Sequence, residues 1–133
     1  MFMPEAPDAS DLSIERFELE GANVFCARLI GTHRLKDSLV NAQRLAERVV
    51  RENRDAVILD YSQCQLEHKL EEFIRVGDLF VRHMPAHVRF SYVYHASNMM
   101  HAAYMTKTLF KAGFQARAFG NWDDAERFAR GIE

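Results

Sequence analysis

Several residue types are scarce in this chain of 133 residues, and each scarcity removes a class of protein. The two cysteines, Cys26 and Cys64, fit no structural-metal or redox spacing. They read as reduced packing thiols of a cytosolic protein. No apolar run approaches the length needed to span a bilayer. The start, Met1-Phe2-Met3-Pro4-Glu5, has neither the basic nor the apolar stretch of a signal peptide, which places the expected location in the cytoplasm. Charge of either sign is not in excess: the formal net charge is −2, so there is no bulk attraction to nucleic acid or anionic lipid. No G-x-S-x-G, Walker loop, G-x-G-x-x-G or H-E-x-x-H occurs, and no internal repeat or low-complexity segment.

What is there is an ordinary globular sequence. Apolar residues make up 48% and charged residues 27%, enough for one domain with its own core. Residues 1–11 carry Pro4, Pro7 and several acids and read as a frayed lead-in to a single domain over 12–133. The organising stretch is Asp55 to Ser62. Ala56 to Leu59 is a short unbroken apolar run with β-branched members, as in a strand covered on both faces. The segment Ser62-Gln63-Cys64-Gln65 reads as a turn that closes it.

Around that strand the pattern alternates between strand and helix. Leu12, Ile14, Phe17 and Leu19 mark a first strand, its alternation broken at Arg16. Gly21-Ala22-Asn23 turns it into a second, Val24 to Ile30, giving an antiparallel hairpin. Leu35, Leu39, Ala42, Leu45, Ala46 and Val49 fall at helical spacing, with Asn53 as the stop. A second helix is expected from Leu66 through Phe73, Gly77 and Phe80 to Met84, ended by Pro85. Its Gly77 implies close approach to the sheet. Val88 to His95 is an aromatic, β-branched strand. Ser97-Asn98 is positioned to cap a third helix with an inner stripe of Met99, Ala102, Ala103, Thr106, Leu109 and Phe110. Phe114 to Phe119 forms a last strand, and Asn121 caps a last helix with Asp123 and Asp124 in its first turn. The expected fold is therefore α/β: one mixed, mostly parallel sheet of about five strands, an N-terminal antiparallel hairpin and four helices.

This order resembles the STAS family, the sulfate-transporter and anti-sigma-factor-antagonist domains, and its STAS-like relatives. The helix Leu35 to Val50 runs into Val57-Ile58-Leu59-Asp60-Tyr61-Ser62, which is similar to the family's V-hydrophobic-L-D-L-S strand end. Asn121-Trp122-Asp123-Asp124-Ala125 after the last strand is similar to the family's F-x-x-x-x-E-A ending. One departure matters. The anti-sigma antagonists carry a phosphorylatable serine in a D-S-S/T-G-L segment that opens the next helix. Gln63-Cys64-Gln65-Leu66-Glu67-His68 here has neither serine nor glycine, and Ser62 is not its equivalent. The resemblance implies the fold and a habit of acting through protein contacts, without the phosphoswitch.

Candidate sites follow from the topology. Ligands of open α/β sheets gather beyond the carboxyl ends of parallel strands. Thr32 and His33, Asp60 and Ser62, His95, Ser97 and Asn98, and Asn121 all converge there. An Asp60/His95 pair with Ser62 or Ser97 as nucleophile is the sharpest chemical arrangement these residues allow. Strand closure and helix capping account for the same residues without chemistry, and a non-catalytic protein is expected. His83 and His87 lie four apart, but Pro85 breaks the helix that would align them, so no metal site and no cofactor is expected.

Charge is uneven. From Leu79 to Trp122 there is no Asp or Glu, whereas Arg82, Arg89, Lys107, Lys111 and Arg117 fall within it. A small anionic ligand at the opening of the third helix is one consequence. Phe90, Tyr92 and Tyr94 are expected in the core rather than stacked on nucleic acid. On the outer side of the third helix, Met100 and Tyr104 beside Lys107 and Lys111 form a candidate contact patch for another protein or a second copy in a homodimer. Val40 and Leu79 are expected at the surfaces of the first and second helices.

Overall fold

The structure is a computed structural model that describes residues 12–132, so the expected lead-in over 1–11 lies outside the described residues. Ser13–Glu18 (β1) and Val24–His33 (β2) pair antiparallel through a turn in which Gly21 takes the left-handed φ of 73°. Leu35–Glu52 (α1) ends at Asn53, also left-handed, whose N–H donates to the carbonyls of Val49 and Val50. Ala56–Leu66 (β3), Leu70–His83 (α2) and Arg89–Val93 (β4) follow. A 3-10 turn over Ala96–Asn98 leads into Met99–Lys111 (α3), then Ala116–Phe119 (β5) and Trp122–Arg130 (α4).

Spatial order repeats chain order, β1-β2-β3-β4-β5, with β1 antiparallel and the rest parallel. Each right-handed crossover therefore steps the same way across the sheet, and α1, α2 and α3 land on one face. Helix α4 packs under the other face, against β3, β4 and β5. The larger core lies under the three helices, around Phe73, Phe80, Phe90, Tyr92, Met105 and Leu109. The smaller one packs Val24, Cys26, Ile58 and Val93 against Ala125 and Ala129 of α4. Phe90 and Tyr92 are buried, as expected of an interior strand, whereas Tyr94 follows the end of β4 and is half-buried.

Several expectations are corrected. The segment Ser62 to Gln65 is no turn: β3 continues to Leu66, paired with the end of β2. The pairing register shifts between Arg28 and Ile30 of β2, so that β3 carries one extra residue there. That bulge resets the alternation. Val57, Leu59 and Tyr61 face the larger core, and so does Cys64, three positions on. Helix α2 accordingly starts at Leu70, with Leu66 still in the strand. Gly77 serves an approach between helices, not to the sheet: a Cβ there would lie 2.9 Å from Sδ of Met105 and 3.3 Å from Cγ2 of Thr108, both on α3. Leu79 is half-buried against the core rather than at the surface. In α3 the buried line is Ala102, Met105 and Leu109, while Met99, Ala103 and Phe110 face outward.

Candidate functional site

Residues of the strand ends divide between the two faces of the sheet. Thr32 and His33 close β2 and are buried. The His33 ring stacks on Tyr61 at 6.4 Å and meets His68 edge-on at 5.7 Å, under α1. Its Nε2 lies 3.4 Å from the Asn41 amide, and its Nδ1 has no hydrogen-bond partner among the described residues. Burial, and then the neighbouring His68, bring its pKa down to about 4, with Asp37 acting the other way. The ring is neutral at pH 7.

Asp60 points to the α4 side. Its Oδ2 accepts from Nε of Arg28 at 2.9 Å, and its Oδ1 accepts from the backbone N–H of Ser62 at 2.9 Å. The second bond satisfies an amide at the bulge. Exposed His95 takes different partners: its Nδ1 lies 2.8 Å from Oγ of Ser97 and accepts from the Ser97 N–H at 3.1 Å. Asp60 and His95 thus form no pair with one another. Asn98 does not cap α3 with its side chain. Its Oδ1 accepts from the His95 N–H at 3.1 Å and its Nδ2 donates to the Cys64 carbonyl at 3.1 Å, tying the loop after β4 to β3. The amides of Ser97 and Asn98 are both occupied by His95. Asn121 caps α4 as expected, accepting from the Asp124 N–H at 2.9 Å.

Ser62, His95, Ser97 and Asn98 do share one groove at the strand ends, about 430 Å³ in volume and floored by Gln63 to Leu66. Thr32, His33, Asp60 and Asn121 are not part of it. Among the described residues no group of three or more His, Cys, Asp or Glu is placed to hold a metal ion. The two thiols are buried, and burial pushes the Cys26 and Cys64 pKa values up to about 12.

A second candidate surface is the outward face of α3. Met99, Met100, Tyr104 and Phe110 are exposed there, Phe110 at 71%, beside Lys107 and Lys111. The patch is wider than Met100 and Tyr104 alone. Apolar residues occupy outward as well as inward positions of α3, interrupted by His101, Lys107, Thr108 and Lys111, whereas the other three helices each keep one strongly apolar side. Sequence reasoning missed a third feature, a cavity between α1 and the hairpin strands. Its one signal in the sequence is Arg16, an arginine where the alternation of β1 calls for an inward apolar residue.

No protein-family model and no curated protein matches the sequence. Among solved structures, an anti-sigma factor antagonist from Mycobacterium paratuberculosis is similar with a TM-score of 0.65 and 14% identity, over 90% of this chain and 95% of that one. An uncharacterised protein with a SpoIIAA-like fold from Shewanella loihica is similar with a TM-score of 0.57 and 10% identity, over 89% and 93% of the respective chains. The fold is STAS-like. Among the described residues no helix is long and apolar enough to cross a membrane.

Proposed function

We propose that this chain is a non-catalytic regulatory module that acts by binding another protein, or a second copy of itself, through the outward face of α3. The observation that carries this is the exposure of four large apolar side chains on that helix. One side is consumed by the core, and the other leaves Met99, Met100, Tyr104 and Phe110 in solvent. Large apolar side chains grouped in solvent on one helix mark a surface that a partner covers. Lys107 and Lys111 flank the patch and α3 carries no acid, so a partner with an acidic rim fits it best. The anti-sigma factor antagonist of similar fold supports a regulatory role.

The test is Tyr104→Glu and, separately, Phe110→Glu. Both residues are exposed, so the fold should persist by circular dichroism while self-association or partner capture weakens. An unchanged mass distribution together with unchanged pull-downs counts against the proposal. A small anionic, nucleotide or acyl ligand at the strand ends is the alternative, supported by the groove of Ser62, His95, Ser97 and Asn98. A thermal shift with an anionic ligand that vanishes in a Ser97→Ala/Asn98→Ala variant would favour it.

A further inference from the structure

The cavity between α1 and the hairpin has an apolar interior and an arginine mouth. It holds about 310 Å³, in the range of small-molecule sites. Phe25, Leu29 and Leu59 of the sheet and Phe80 of α2 line its base, each at most 4% exposed, with Ser38 and Asn41 of α1 beside them. Arg16 comes from β1, and Arg44, Arg48 and Arg51 from one flank of α1, where positions i, i+4 and i+7 share a face. Arg48 is engaged with Glu52 at 3.1 Å and lies over the Phe25 ring at 4.5 Å. Arg16, Arg44 and Arg51 have no ion-pair or hydrogen-bond partner among the described residues. Among the described residues one acid, Glu47, lines the same cavity.

We infer that this cavity binds an amphipathic anion, an aliphatic body with a carboxylate head. The aliphatic part packs on Phe25, Leu29, Leu59 and Phe80, with Ser38 and Asn41 left at the side to meet polar atoms or water. The carboxylate lies among guanidinium groups whose planar fork suits bidentate pairing with it. Three unpaired like charges around one opening repel one another, and a bound anion relieves that repulsion. Neutral His33 lies at the cavity wall, so it sets no second charge inside it. This site lies on the α1 side of the sheet, apart from the strand-end groove and from the face of α3, so it neither depends on the proposed protein contact nor competes with it.

The experiment uses the full chain with decanoate, well below its micelle concentration, against two controls: decanol, which has the body without the charge, and acetate, the charge without the body. Isothermal titration and thermal unfolding are both read. Decanoate should bind with a saturable rise in Tm, decanol should bind more weakly by about tenfold or more, and acetate should not bind. Arg44→Gln/Arg51→Gln alters two exposed side chains without partners, so its circular dichroism should match the parent. Its decanoate affinity should fall by about tenfold or more. Ala27→Leu, which places bulk inside the cavity, should abolish binding. No saturable binding of decanoate, equal binding of decanol, or undiminished binding by the folded arginine variant each overturns the inference.

Discussion

Arg28 of β2 donates through Nε to Oδ2 of Asp60 in β3 at 2.9 Å, and its guanidinium carbon lies 5.2 Å from the ring centroids of both Phe17 and Trp122. The arginine thus joins the hairpin, the central strand and the first turn of α4. The Asp60 side chain is nearly inaccessible and the Arg28 side chain 28% exposed. Asp60 also holds the Ser62 amide at the bulge.

Removal of Asp60 should therefore be felt twice. Asp60→Ala leaves Arg28 uncompensated between two rings and the Ser62 N–H without its acceptor. A fully buried pair broken on one side costs about 3–5 kcal/mol, and Arg28 recovers part of that by reaching water. The expected loss is about 2–3 kcal/mol in urea unfolding. Arg28→Ala/Asp60→Ala should lose less than the two single variants added together, because neither charge is then stranded. A single-variant loss under about 0.5 kcal/mol would show that the pair carries no weight.

The same residues show what the sequence disclosed. Ala56 to Leu59 announced the central strand because both faces of it are covered and the short apolar run carries β-branched residues between helical patterns. The strand's continuation did not announce itself. Its bulge places Tyr61 and Cys64 on one side three residues apart, which breaks the period of two that identifies a strand. The third helix was legible as a helix but not in its orientation. Met99, Ala103 and Phe110 make as regular a stripe as Ala102, Met105 and Leu109, and only the sheet decides which one is buried. Asp60 and Ser62, expected at a strand end, lie inside β3, which runs on to Leu66, whereas His95, Ser97 and Asn98 do follow β4 and Asn121 does follow β5. Asp60 and His95 do not pair because Asp60 faces Arg28 from within β3 while His95 sits in the exposed turn after β4 with Ser97, a separation that the sequence alone does not register. The arginine-rimmed cavity joins β1 to α1 across more than twenty residues, and a single sequence does not register such a contact.

Gly77 makes a sharper test of how the helices meet. It is buried in α2 where α3 crosses, with Sδ of Met105 2.9 Å and Cγ2 of Thr108 3.3 Å from where a Cβ would lie. Alanine gains about 1 kcal/mol of helix propensity there, which offsets the adjustment of one flexible methionine. Gly77→Ala should therefore change stability by about 1 kcal/mol or less. Valine adds bulk that Thr108 cannot yield to as well, and Gly77→Val should cost about 2 kcal/mol or more. Equal denaturation midpoints for Gly77→Val and the parent would mean that the two helices are not in close contact at this point.

Acid should weaken the fold through His33. Its pKa falls from 6.5 to about 4 on folding, because burial disfavours the charged ring and His68 adds to the effect. A histidine with a depressed folded pKa stays neutral in the native state after the unfolded chain has begun to take up its proton. The unfolded state then binds more protons, and stability falls as pH drops from about 6.5 toward 4. Below the folded pKa both states are charged and this contribution levels off. The slope within the window is about 1.4 kcal/mol per pH unit for one proton, so about 2 kcal/mol should be lost between pH 7 and pH 5. His68, whose pKa is also lowered mainly by burial, acts in the same direction. His33→Gln has no proton to exclude and should flatten the dependence over that window, whatever its stability at pH 7. Urea unfolding of both proteins at pH 7, 6 and 5 decides it, and parallel losses in the two would place the acid sensitivity elsewhere.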